Sequence, residues 1–135
     1  MPMLHTICMD IRFNRQVNPD KDFVSPGGYE MVMDGKSVRF DFTNYEGNVD
    51  KSDSSIVHME ATWLDTETFP ESAKITKKMM KNITKISEFF VYTGEADETD
   101  LQPVELLAVT LYDDKGNPYN IPQFVLRKAE LCCCV

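Results

Sequence analysis

Alternating apolar and polar residues dominate the chain, and this period of two is typical of half-buried β-strands. Near the N-terminus, His5, Ile7, Met9, Ile11 and Phe13 fall on one face of a first predicted strand. Farther on, Asp34-Gly35 separates two alternating runs between residues 29 and 42, which is a strong short-range hairpin signal. The first third of the chain therefore predicts a strand followed by a hairpin.

The later segments continue this pattern. Residues 43–55 are mostly polar and predict a connection, after which one face of a strand carries Val57, Met59, Ala61 and Trp63. Residues 87–95 predict another strand, and residues 104–112 are apolar on both faces, as in a central strand. After a turn at 113–117, two alternatives stay open for residues 119–135: a strand paired with the preceding one, or a short helix from Pro122.

One segment has helical spacing instead. Ile75, Met79, Ile83 and Ile86 recur at intervals of four, four and three residues, and Thr68 and Glu71 have capping-box spacing around Pro70. We therefore predict one amphipathic helix over about residues 71–84.

Together these elements predict an α+β fold in a single globular domain, residues 1–135. We expect a mainly antiparallel sheet of about six to seven strands, curled into a sandwich or half-barrel, with the one helix packed on it. A parallel sheet would need a helix between each pair of strands, and the pattern supplies too few. The alternative is an all-β sandwich.

Composition narrows the functional classes. The 135 residues include 22 acids and 14 lysines and arginines, for a net charge of -8. An acidic surface repels phosphate backbones, so we expect no nucleic-acid partner. The start of the chain lacks a signal-peptide pattern, and no apolar run is long enough to cross a bilayer. We therefore expect a cytoplasmic protein with no membrane partner.

Sites for chemistry are few in the sequence. The two histidines, His5 and His58, stand in no recognisable catalytic motif, and no glycine-rich phosphate loop is present. His58 beside Glu60 is a weak acid/base candidate. We predict no catalytic, cofactor or metal residues. Calcium binding by acidic loops is a minor alternative to their role in solubility, and it concerns Asp20, Asp22, Asp50, Asp53, Asp97, Glu98, Asp100, Asp113 and Asp114.

The chain ends with three consecutive cysteines, Cys132, Cys133 and Cys134. The residues around them match prenylation signals poorly, and adjacent cysteines in an extended chain point to opposite sides, which disfavours a zinc site. We interpret them as small apolar residues that end an element and fray, and we leave their modification open.

A lysine set is the most distinctive charged feature. Lys74, Lys78, Lys81 and Lys85 fall on one stripe of the predicted helix, with Lys77 at its margin. Such a stripe is an ordinary solvated face in most proteins, and it is also suited to docking an acidic partner. We take these four lysines as candidate partner-binding residues.

Three functional classes follow. We favour a non-enzymatic protein-interaction module with a protein partner, and edge strands make a homodimer possible. The alternative is a small-molecule or metal-binding β domain with an aromatic pocket lined by Phe40, Phe42, Trp63, Phe89 and Phe90. An enzyme of unrecognised type is the third class.

Overall fold

The computed structural model describes residues 3–93 and 100–134. Within them the chain forms eight β-strands, two short α-helices and one 3-10 helix, Pro70–Lys74. The strands are β1 Leu4–Phe13, β2 Ser25–Met33, β3 Lys36–Val49, β4 Ile56–Leu64, β5 Ile83–Tyr92, β6 Pro103–Asp113, β7 Pro118–Asn120 and β8 Leu131–Cys134. The α-helices are α1 Lys77–Lys81 and α2 Gln123–Arg127.

The strands form one open sheet in the order β7-β6-β1-β4-β3-β2-β5-β8. The α+β, sheet-dominated class predicted from the sequence agrees with this arrangement. The predicted count of about six to seven strands and the mainly antiparallel character differ from the structure, because the described residues form eight strands in a mixed sheet in which β8 runs parallel to β5. A parallel pair requires a crossover connection. Here β6, β7 and α2 intervene between the two paired strands.

The sheet is strongly bent. Tyr29 on β2 donates its hydroxyl to the sulfur of Met9 on β1 at 3.4 Å, although three strand boundaries separate β1 and β2 in the sheet. The strands β6 and β8, which are far apart in the strand order, are also in contact. The bend thus brings side chains from distant strands into one hydrophobic core.

Four aromatic rings fill the middle of this core. Tyr29, Phe40 and Phe89 have no exposed surface, and Phe42 is almost fully buried. The Tyr29 ring lies 4.5 Å from that of Phe89 and 5.5 Å from that of Phe40, within the range of favourable aromatic pairs. Three of the aromatics considered as pocket lining are therefore packed core residues.

The predicted helix over 71–84 is wrong in its extent. The structure has the 3-10 helix, then α1 of five residues, and β5 already begins at Ile83. Thr76 starts α1 anew, because its hydroxyl accepts the N–H of Met79 at 3.2 Å. The prediction of one amphipathic helix is thus replaced by two short helices and a strand.

The helical spacing of the apolar residues led to a wrong prediction because β5 is irregular. Its pairing with β2 shifts register between Val32 and Met33 and again between Glu30 and Met31. Each shift inserts a residue, so Ile83 and Ile86, three apart, both face the core as they would on a helix. The burial predicted for Ile75, Met79, Ile83 and Ile86 is confirmed, while their secondary structure is not.

Two residues that were predicted to share the apolar face of their strand are exposed instead. Trp63 is 70% exposed, because its positive φ of 66° interrupts the alternation of β4. His5 is exposed rather than on the apolar face, because the β1–β6 register shifts between Leu4 and Thr6. At the other end of the chain, both alternatives for 119–135 occur, as β7 extends from Pro118 to Asn120 and α2 follows Pro122.

Candidate partner-binding groove

An apolar groove opens between the second half of β3 and the loop that precedes β2. It encloses about 540 Å³. Two exposed aromatics flank it, Phe23 with 53% and Tyr45 with 36% of its surface accessible. Its main apolar lining is Val17, Phe23, Val24, Tyr45, Val49 and Val57. Large apolar side chains left open beside a concave surface are typical of binding sites.

The groove exists because β3 changes neighbours along its length. Residues 36–41 of β3 pair with β2, whereas residues 42–49 pair with β4 on the opposite edge. No strand of the described chain pairs with the β2-side edge of residues 43–49. We call this unpaired stretch the free edge of β3.

A kink marks the point where β3 changes neighbours. Trp63 adopts a left-handed conformation, and its carbonyl accepts the hydroxyl of Thr43 at 3.0 Å. Before this point Phe40 and Phe42 face the core, whereas after it Tyr45 shares the face of Ala61 and Met59. A bulky residue with positive φ is strained. This strained residue lies where the strand pair leaves its normal alternation.

The pairing with β4 sets the direction of the backbone groups at the free edge. The N–H of Asp50 donates to the carbonyl of Ile56 at 2.8 Å, so the even-numbered positions bond to β4. In an antiparallel ladder, every second residue directs its N–H and C=O away from that partner. Between Asn44 and Asp50, the outward residues are therefore Tyr45, Gly47 and Val49, which also line the groove.

Ionic contacts hold the loop wall of the groove. The guanidinium of Arg15 binds both carboxylate oxygens of Asp22 at 2.9 and 3.0 Å and reaches Asp100 at 2.7 Å. The backbone N–H of Asn18 also donates to Asp22 at 2.8 Å. These hydrogen bonds, first the one from Arg15, lower the pKa of Asp22 to about 2. Phe23 therefore directly follows Asp22, a residue that is ionised and held in place by these hydrogen bonds.

His58 anchors the opposite wall. Its Nδ1 lies 2.6 Å from a carboxylate oxygen of Asp10 on β1, and its Nε2 lies 2.7 Å from one of Asp50. Both contacts raise the pKa of His58 by favouring the imidazolium, Asp10 first. The hydrogen bond from His58, with those from Ser52 and the backbone, lowers the pKa of Asp50. Asp50 lies between Val49 and Lys51, two residues that line the groove.

This arrangement differs from the predicted His58–Glu60 pair. The histidine is held by two aspartates that neither sequence spacing nor the strand pattern connects to it. Glu60 lies instead directly across from Glu46 on β3. Both glutamates are exposed, and in the described part of the chain neither forms an ion pair with a lysine or arginine. Like charges directly opposite each other on neighbouring strands are destabilising.

The four candidate lysines are exposed but do not share one helix face. Lys74 lies in the 3-10 helix, Lys78 and Lys81 in α1, and Lys85 in β5. Two already have acidic neighbours: Lys74 lies 3.4 Å from Glu71, and Lys78 lies 3.7 Å from Asp34. Lys77 reaches the buried Asp113 at 4.0 Å. Their role in partner binding stays a prediction.

In the acidic loop at residues 113–119, the carboxylate of Asp113 accepts hydrogen bonds from residues of the same loop. Asp113 accepts hydrogen bonds from the backbone of Lys115 and Asn117 and from the hydroxyl of Tyr119. Burial opposes its ionisation, but these hydrogen bonds and one from the Asn117 side chain lower its pKa to about 2. Across residues 3–93 and 100–134, no group of three or more potential ligands could hold a metal ion. Asp97 and Glu98 lie outside the described residues.

Of the terminal cysteines, Cys132 is half-buried in β8, beside Phe90 of β5. Burial raises the pKa of the thiols of Cys132 and Cys8, which favours the unreactive protonated form. The last described residues, through Cys134, thus belong to a strand. The side chains of Cys133 and Cys134 lie outside the described part.

No helix in the described ranges is long and apolar enough to cross a membrane. Comparisons with protein-family models, with curated proteins and with solved structures found no match to this chain. The groove must therefore be interpreted from its own geometry.

The sequence pattern did not predict this groove. Residues 43–55 were expected to be a polar connection, yet the first seven continue β3. All residues from Thr43 to Asn48 are exposed, so the apolar alternation that marks a strand is missing. Tyr45 and Val49, which are four residues apart and so lie on one face of an extended segment, were the one available signal.

Proposed function

We propose that this chain is a non-enzymatic protein-interaction module whose partner binds in the groove beside the free edge of β3. The observation that carries the proposal is the exposure of Phe23 and Tyr45 on either side of an apolar cleft. Aromatic residues dominate the binding energy of protein interfaces when a partner covers them. A cytosolic location is part of the proposal, because the described thiols of Cys8 and Cys132 are free.

The lysine set is a second candidate contact surface within the same function. Lys74, Lys78, Lys81 and Lys85 remain exposed, and an acidic partner would be attracted to them. The groove is preferred because exposed ion pairs contribute little binding energy, whereas burial of aromatic rings contributes much.

The test begins with capture of a partner from the native host, followed by its purification and a measured Kd in a reconstituted complex. We expect Phe23→Ser and Gly47→Leu to weaken that Kd by roughly tenfold or more, because they remove an anchor or fill the cleft. Phe124→Ser is the matched control, since Phe124 is 62% exposed on α2, outside the groove.

Each outcome separates the alternatives. If charge reversal of the four lysines weakens binding and the groove variants do not, the partner contacts the lysines and not the groove. A purified partner that binds every variant equally would contradict both surfaces. Failure to capture any partner would contradict the interaction function itself.

A further inference from the structure

We propose that the groove receives an extended peptide that adds to the free edge of β3 as a new strand, with apolar and basic side chains alternating along it. This inference rests on the proposed function and specifies the partner's chemistry. Three independent features of the free edge support it: its backbone groups, its apolar side and its charged side.

The backbone of the free edge matches the requirements of an added strand. Tyr45, Gly47 and Val49 direct their N–H and C=O groups away from β4, into the space left by β2. These residues span about 14 Å, from four steps of about 3.4 Å each. A partner segment of about five residues therefore satisfies the row of donors and acceptors.

The apolar side of the added strand would face the groove. Alternate side chains of a strand at this edge lie on the same face as Tyr45 and Val49, among Phe23 and Val24. Gly47 leaves the middle of the edge without a side chain. A Cβ there would make ordinary van der Waals contacts with Met59 and Val57 at 3.7 and 3.9 Å, so nothing collides with this position. Apolar partner side chains thus have room in the cleft.

The other side chains of the added strand would lie on the sheet face away from the groove. On this face Glu46 lies directly across from Glu60. Neither glutamate has a cationic partner among the described residues. A lysine or arginine on the added strand would stand beside Glu46 and relieve the repulsion between the two carboxylates. A second copy of this chain would bring another Glu46 to that face, so edge-to-edge self-association is disfavoured.

The test uses a phage-displayed library of random peptides of about ten residues, selected on the purified full chain. We expect enriched peptides in which apolar residues alternate with lysine or arginine. Each selected peptide is then resynthesised with one backbone nitrogen methylated at a time. Methylation should weaken binding by roughly tenfold at every second position, because only alternate N–H groups face β3.

A pair of charge reversals tests the basic positions. Glu46→Lys should weaken the selected peptides by roughly tenfold, while Asp114→Lys, the same charge change in the β6–β7 turn, should leave the Kd unchanged. Melting temperatures of both variants check that they remain folded. Equal weakening by the two variants would contradict a local role for Glu46.

Several results would overturn the strand-addition model. These are the absence of any enriched peptide, a methylation profile that does not alternate, and assembly of the chain into dimers through this edge. If the reconstituted native partner still depends on Phe23 in such a case, the interaction function stands and only the strand-addition inference fails.

Discussion

The two halves of β3 have the same extended conformation but different surroundings. Residues 36–41 pair with β2, and the segment after β4 returns along their other side: the N–H of Asp65 donates to the carbonyl of Asp41, and the 3-10 helix contacts the strand. Residues 43–49 pair with β4, and their other side opens on the groove.

The side chains differ in the same way. In the first half Val38 and Phe40 are buried, and the guanidinium of Arg39 lies over the rings of Phe69 and Phe90. In the second half, every residue from 43 to 48 is exposed. Proteins normally cover or blunt an unpaired edge, because it invites pairing with other chains. The contrast shows that one half of β3 builds the core, whereas the other half leaves one edge without a paired strand among the described residues, as the proposed partner binding requires.

The largest expected difference concerns aromatic truncation. Phe40→Ala should lower the free energy of unfolding by about 3–5 kcal/mol, because it leaves a cavity beside Tyr29 and Phe42. Tyr45→Ala should lower it by less than about 1 kcal/mol, because Tyr45 is a surface residue. Urea unfolding measures both values. Similar losses for the two variants would contradict the division of β3.

Two glycines sharpen the comparison. A Cβ on Gly27 would lie 2.9 Å from the carbonyl oxygen of Phe90, so Gly27→Ala should cost about 1–3 kcal/mol. Gly47→Ala meets only ordinary contacts and should leave stability within about 0.5 kcal/mol of the original protein. The midpoints of chemical denaturation test the pair. A destabilised Gly47→Ala would show that the groove is closed in solution.

The kink between the two halves predicts a stabilising substitution. Trp63→Gly should raise the free energy of unfolding by about 1 kcal/mol, because glycine adopts a φ of 66° without strain and the lost indole is mostly exposed. Trp63→Val is the control, and it should destabilise, since β-branched residues resist positive φ. Thermal melts compare the three proteins. An increase in stability for Val would contradict the left-handed conformation.

The smallest expected effect is the pH dependence of the groove wall. Because folding raises the pKa of His58, its stabilising contribution is complete below the unfolded pKa of about 6.5 and is lost as pH rises through the folded pKa. The melting temperature should therefore fall with rising pH more in the original protein than in His58→Gln. The difference is small, because solvent screens the half-exposed imidazole. Parallel pH profiles for the two proteins would contradict the Asp10–His58–Asp50 contacts.

The sequence predicted the core better than it predicted the groove and the free edge of β3. Alternation correctly placed Ile7, Met9 and Phe40 inside, because burial acts on each residue wherever its strand pairs. The bulges of β5 imitated helical spacing, and such register shifts arise from pairing with β2, which local sequence does not encode. The free edge depends on which strands fail to pair, a property of the whole sheet.

Hydrogen exchange of single backbone amides, followed by NMR, tests the free edge of β3 most directly. We predict that the amides of Asn44, Glu46 and Asn48, which bond to β4, exchange slowly, while those of Tyr45, Gly47 and Val49 exchange quickly. Slow exchange at all six positions in the isolated protein would mean that the edge is already paired or covered, and would contradict the account.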